Sequence, residues 1–179
     1  MLFYLSLIEG EQDKRKFERI YEAYRQIMFY AANRILRDRH LAEDAVHLAF
    51  MRVIDHLEKI NEEDGHKTRG FLVTVTENIS IDLYRKRKKE NLLSYDEMGV
   101  YIAETQGVYN EENEIVAAMM RLPVQYSAVF KLKYVQGFEN GEIAAILNLN
   151  EAAVRKRLSR GKEKLSQLLN EGEKEVHLV

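Results

Sequence analysis

Two stretches of the chain concentrate cations at spacings suited to one task, the neutralisation of phosphate. "YRKRKKE" sets Arg85, Lys86, Arg87, Lys88 and Lys89 side by side, and "EAAVRKRLSRGKEK" carries Arg155, Lys156, Arg157, Arg160, Lys162 and Lys164 against only Glu151 and Glu163. The whole chain has a formal net charge of -2 at pH 7, so this positive charge is placed locally rather than spread. Cations in a last helical turn offset the negative end of the helix dipole, but five in a row exceed that need. Bond-making chemistry is not legible beside them. There is no Gly-rich phosphate loop, no Ser-His-Asp or Cys-His set, and no Cys at all. His40, His47, His56 and His66 recur at intervals of seven, nine and ten, which suit no compact metal site. A non-catalytic protein with no metal and no cofactor is expected.

The elements that must position these cations are helices. Of 179 residues, 46% are hydrophobic and 31% charged, while one Pro and nine Gly leave few breakers. That scarcity disfavours a turn-rich sheet. The opening "MLFYLSLIEG" is too short for a signal peptide or a membrane span. Its Leu2, Leu5 and Ile8 are expected to cover a helical surface. With no Cys to cross-link, a soluble cytoplasmic protein without membrane insertion is expected.

Apolar residues at three- and four-residue steps from Phe17 to Ile35 predict a long helix over 14–37, broken by "RDRH". A second stripe runs Leu41, Ala45, Val46, Ala49, Phe50, Val53, Ile54 and Leu57. After the polar loop "NEEDGH", a third stripe (Phe71, Leu72, Val75, Ile79, Leu83) leads into the cationic run. Three such helices make a bundle over 1–89. Residues 90–113 are acidic: Glu90, Asp96, Glu97, Glu104, Glu111 and Glu112 occur there without any Lys or Arg, which reads as a linker. Order returns at 114–179. Pro123 suits a helix start, and Val124 to Leu132 carry that helix to Gly137.

The tail then reads as a helix-turn-helix. Ile143, Ala144, Ile146 and Leu147 form a short helix, Asn148 suits a left-handed turn, and Asn150 is placed to cap the next helix. Val154, Leu158, Gly161 and Leu165 give that helix its buried face. A basic second helix of this kind fits the DNA major groove. Arg155, Lys156 and Ser159 share its outer face and are expected to meet bases, with Asn150 and Glu151 at its start. Arg157 and Arg160 are assigned to phosphates.

In this order the segments resemble a bacterial RNA polymerase sigma factor of the two-domain extracytoplasmic-function type. "AEDAV", "NISIDLYRKRKK" and "EIAAIL...VRKRLSRGKEKL" carry the resemblance, which spans nearly the whole chain. It implies an all-α protein of two small helical domains, region two and region four. It also implies binding to core RNA polymerase, at the largest-subunit coiled coil and the flap, and to promoter DNA, both duplex and single-stranded. Region four would dock on the minus-thirty-five element and region two would separate strands at the minus-ten element. Glu43, Asp44, Val46, His47 and Phe50 then fall on the polymerase-binding surface. Asn78 falls where a flipped base is held, with His66 and Lys67 of the "NEEDGHK" loop as the other wall. Phe71 is the aromatic that would stack on a single-stranded base, and Arg85 to Lys89 would lie on phosphates. An anti-sigma factor is a further implied partner.

The chain departs from the family pattern at His47 and Leu48, where an amide and an acid are commoner, and at Val73 and Thr74. It also places Glu139 where a Ser or Thr cap is usual. Two other functions stay open on the residues alone. One is a regulator that binds duplex DNA through the helix-turn-helix; the other is a sigma-like protein that occupies polymerase or an anti-sigma factor without opening promoters.

Overall fold

The computed structural model describes residues 1–62, 64–91, 118–119 and 121–176. The chain forms two units, Met1–Ser94 and Tyr95–Val179, divided within the acidic stretch. Helix α4 runs to Asn91, past the expected end of the first domain at Lys89. The remainder of the 90–113 linker lies outside the described residues.

In the first unit, α1 (Leu2–Leu5) precedes the long α2 (Glu11–Leu36). Glu11 and Asp13 in its first turn favour the positive end of the helix dipole. The break at "RDRH" has a simple construction. Arg37 takes a left-handed conformation (φ 49°) and donates its N–H to the Asn33 carbonyl at 2.8 Å. Asp38 then caps α3 (Arg39–Ile54), accepting from His40 N–H at 3.1 Å and Leu41 N–H at 3.2 Å. Ala42, Ala45 and Ala49 on α3 are fully buried, small enough to let α2 approach closely. A 3-10 turn (Leu57–Lys59) leads to α4 (Gly65–Asn91), which packs on both α2 and α3.

The stripe on α4 predicts one buried face, yet every residue from 70 to 81 is buried. Its polar members are accommodated partly by their own backbone: Thr76 Oγ1 donates to Leu72 O and Ser80 Oγ to Thr76 O, each at 2.7 Å. Glu77 meets Arg34 of α2 at 3.3 Å. At the N-terminus it is Tyr4 and Ile8 that are buried, while Leu2 is 84% exposed, so Leu2 does not cover the bundle.

In the second unit, Pro123 is the N-cap of α5 (Val124–Phe130) rather than its first residue, and its carbonyl accepts from Tyr126 N–H at 2.8 Å. The expected run to Gly137 is not one regular helix. Residues Lys131–Val135 form a π-helical turn, and Gly137 (φ 80°) ends it. Helices α6 (Asn140–Ile146) and α7 (Glu151–Val176) follow, both packing against each other and α5 against α7. Glu139 is a better start to α6 than its type suggests. Its N–H donates to the Glu142 carboxylate at 2.8 Å, and the two residues form a reciprocal capping box. The closest approach is Gly161 of α7, where a Cβ would lie 2.5 Å from Phe130 Cε2. Among the described residues no strand occurs, and no helix is long and apolar enough to cross a membrane.

Candidate functional site

The α6–turn–α7 segment is built as the sequence implies. Asn148 sits at φ 52°, and Leu149 N–H reaches the Ala144 carbonyl at 2.8 Å, which turns the chain sharply. Asn150 Oδ1 accepts from Ala153 N–H at 2.8 Å and caps α7. That oxygen is therefore committed to the helix start. Val154 and Leu158 are buried, and Arg155, Lys156, Ser159 and Arg160 are exposed. Arg155 is aligned by Glu151 one turn earlier, at 3.1 Å. Gly141 of α6 leaves room for that carboxylate, since a Cβ there would lie 3.2 Å from Glu151 Oε1.

The structure divides these cations differently from the sequence. Lys156, Arg157 and Arg160 line one cleft of about 210 Å³ with Gln125 and Tyr126 of α5. Lys156 thus belongs with the two residues assigned to phosphates, and Arg155 stands apart on the neighbouring face. Residues 155 and 156 are 100° apart on a helix, and the cleft wall supplied by α5 decides which side each one serves.

On α4, Arg85, Lys86 and Arg87 are exposed and Lys88 is half-buried; the Lys89 side chain lies outside the described residues. Arg87 is not a simple solvated cation. It meets Asp38, the α3 cap, at 3.2 Å. The Leu41 N–H, aided by the Arg87 charge, holds the Asp38 carboxyl below its ordinary range. Asp82 lies within electrostatic reach of Arg52, whose guanidinium is pulled below its usual value by burial.

The expected base pocket is only partly assembled. Asn78 is 8% exposed, and its side chain makes no hydrogen bond among the described residues. One turn earlier, the Thr74 hydroxyl is buried without a hydrogen-bond partner. His66 and Lys67 are exposed in the first turn of α4, where Asp64 accepts from Lys67 N–H at 3.0 Å. His66 precedes Asn78 by twelve residues on one helix, about 18 Å along its axis. His66 and Asn78 therefore do not wall one pocket. Phe71 is 2% exposed and belongs to the core, so it offers no face for a base to stack on. Its place at the head of the apolar stripe of α4 agrees with that burial.

The surface around "AEDAV" is concave. A groove of about 680 Å³ is lined by Tyr21, Arg25, Tyr30, Arg39, Glu43 and His47 among others. Glu43, Asp44 and His47 are exposed, and Glu43 pairs with Arg39 at 3.1 Å. Val46 is 7% exposed and contributes a wall. Phe50 corrects the sequence reading. It is fully buried, 4.9 Å from the Tyr21 ring and 5.6 Å from that of Phe17, and supports this face from behind. A residue absent from the sequence reading joins the groove: Tyr4, whose hydroxyl meets His47 Nδ1 at 2.8 Å.

An all-α chain of two helical units, one ending in a basic helix-turn-helix, defines a class of DNA-binding regulatory protein. Comparison with known proteins narrows it. Residues 20–90 match the Sigma-70 region 2 family and residues 112–165 match Sigma-70, region 4. The ECF RNA polymerase sigma factor SigM of Bacillus subtilis (strain 168) is 30% identical over 159 residues, covering 87% of this chain and 96% of SigM. SigW of the same organism is 28% identical over 179 residues, covering 91% and 92%. A solved complex of the sigma factor RpoE with the anti-sigma factor NepR from Bartonella quintana aligns at TM-score 0.43 and 19% identity, over 86% of this chain and 96% of that one. The chain belongs to the ECF sigma factor family.

Proposed function

We propose that this chain binds core RNA polymerase and directs promoter-specific initiation, reading the minus-thirty-five element with α7 and the minus-ten element with α4. The role is regulatory. The observation that carries this reading is the helix-turn-helix, in which Asn148 and Asn150 set α7 so that Arg155 and Ser159 are exposed while Lys156, Arg157 and Arg160 gather at one cleft. A small cleft lined by three cations favours an anion, and a DNA phosphate is such an anion. Arg155, aligned by Glu151, is the base reader in this assignment.

On α4, Arg85 and Lys86 are assigned to phosphates. Asn78 is the residue assigned to an extruded base, since its amide is without a hydrogen-bond partner among the described residues. Glu43 and His47, which line the groove between α2 and α3, are assigned to core polymerase together with the exposed Asp44.

In vitro transcription tests this directly: the full chain with core polymerase of its own host, on a library of promoter fragments. Specific transcripts that vanish with Asn78→Ala are expected. Co-elution with polymerase but no transcripts would point instead to a sigma-like protein that occupies polymerase. Neither transcripts nor co-elution would overturn the proposal in favour of a duplex-binding regulator.

A further inference from the structure

Helix α1 packs against the face of α3 that carries His47. Tyr4 is 8% exposed, its ring 5.3 Å from Phe17, 5.8 Å from Phe50 and 5.4 Å from the His47 imidazole. Phe3 lies 5.7 Å from the same imidazole but stays 56% exposed. Burial pushes the Tyr4 phenol up to about 12, so it keeps its proton at neutral pH. A protonated phenol can donate to His47 Nδ1, and a neutral imidazole accepting there carries its own proton on Nε2. His47 is exposed, and its ring makes no other hydrogen bond among the described residues. Its Nε2–H is then a fixed donor at the groove.

We propose that α1 is a lip of the polymerase-docking groove and that Tyr4 is a positioning residue, holding His47 to donate a hydrogen bond to an acceptor oxygen on core polymerase. This rests on the function proposed above. The occupant is polymerase, not nucleic acid, because the groove does not gather cations alone: Glu43 lies among its lining, and both guanidinium groups there are engaged within the protein. Arg39 pairs with Glu43, and Arg25 lies over the Tyr21 ring at 5.5 Å. Two exposed aromatics, Phe3 and Tyr30, flank these polar groups. Aromatic anchors within a polar surround are the make-up of a protein contact. The groove is also continuous with Glu43, the residue already assigned to polymerase.

The test is the affinity of the full chain for core polymerase, compared among wild type, Tyr4→Phe, His47→Ala and the double variant. Tyr4→Phe keeps the ring and removes only the hydroxyl. It is expected to weaken binding about 3- to 10-fold, the worth of one hydrogen bond. The same change is expected to have no effect in the His47→Ala background. In the free protein, imidazole nitrogen NMR shifts are expected to report one tautomer in wild type and a mixture in Tyr4→Phe. Unchanged affinity of Tyr4→Phe would overturn the proposal, as would an equal loss in both backgrounds, which would mean that Tyr4 acts through packing alone. If Glu43→Ala weakens binding while Tyr4→Phe does not, this inference falls and the proposed function stands. If wild type does not bind polymerase, both fall.

Discussion

Lys156 and Arg155 are neighbours in sequence with different surroundings, and the difference is testable. Lys156 shares a cleft with Arg157 and Arg160, whereas Arg155 is aligned by Glu151. A cation on a phosphate adds affinity for every sequence; a guanidinium on a base edge discriminates. Lys156→Ala is expected to weaken binding uniformly across promoter variants and to lower the salt slope by about one. Arg155→Ala is expected to cost about 1–3 kcal/mol for the preferred base at one position and little for other bases there. Fluorescence anisotropy with a panel of single-base variants at several salt concentrations separates the two outcomes. The reverse result would return Lys156 to the base-reading face.

At the scale of elements, the second unit depends on how closely α7 can approach α5. An added Cβ at Gly161 would sit 2.5 Å from Phe130 Cε2, and Phe130 is itself only 3% exposed. Ala is the better helix former by about 1 kcal/mol, but forcing an atom into a filled core costs about 1–3 kcal/mol. The clash is the larger effect. Gly161→Ala is therefore expected to lower the urea midpoint of the unit, and adding Phe130→Leu to recover part of the loss. A Gly161→Ala variant as stable as wild type would show that the ring can move aside freely. The spacing of Val154, Leu158 and Gly161 already placed the glycine on the buried face. The nature of its neighbour was not legible, because Phe130 arrives from a separate helix.

Across the whole molecule, a net charge of -2 coexists with basic surfaces on two separate units. Arg85 and Lys86 lie on α4, Lys156 and Arg160 on α7. Contacts made by residues on separate units, far enough apart not to touch one another, act additively. Each phosphate contact contributes about 0.9 to the salt slope. Replacing Arg85 and Lys86 by Gln, or Lys156 and Arg160 by Gln, is expected to lower the slope of promoter binding by about two in each case, and by about four in the combined variant. Filter binding of the polymerase complex over a salt series measures this. A combined slope no lower than that of either double variant would mean that only one basic surface meets DNA.

The sequence by itself determined the helices and their signals, since those depend on residues three or four apart. The apolar stripes of α2 and α3, the αL position at Asn148 and the Asn150 cap are all of this local kind. The order of its motifs also carried the family. What only the tertiary structure decided rests on residues far apart in the chain. Arg87 meets Asp38 across 49 positions, and Tyr4 meets His47 across 43. Phe50 and Phe71 lost their surface roles because neighbouring helices bury them. A helical period tells which residues share a face. Only packing tells whether that face meets solvent, a partner or the core.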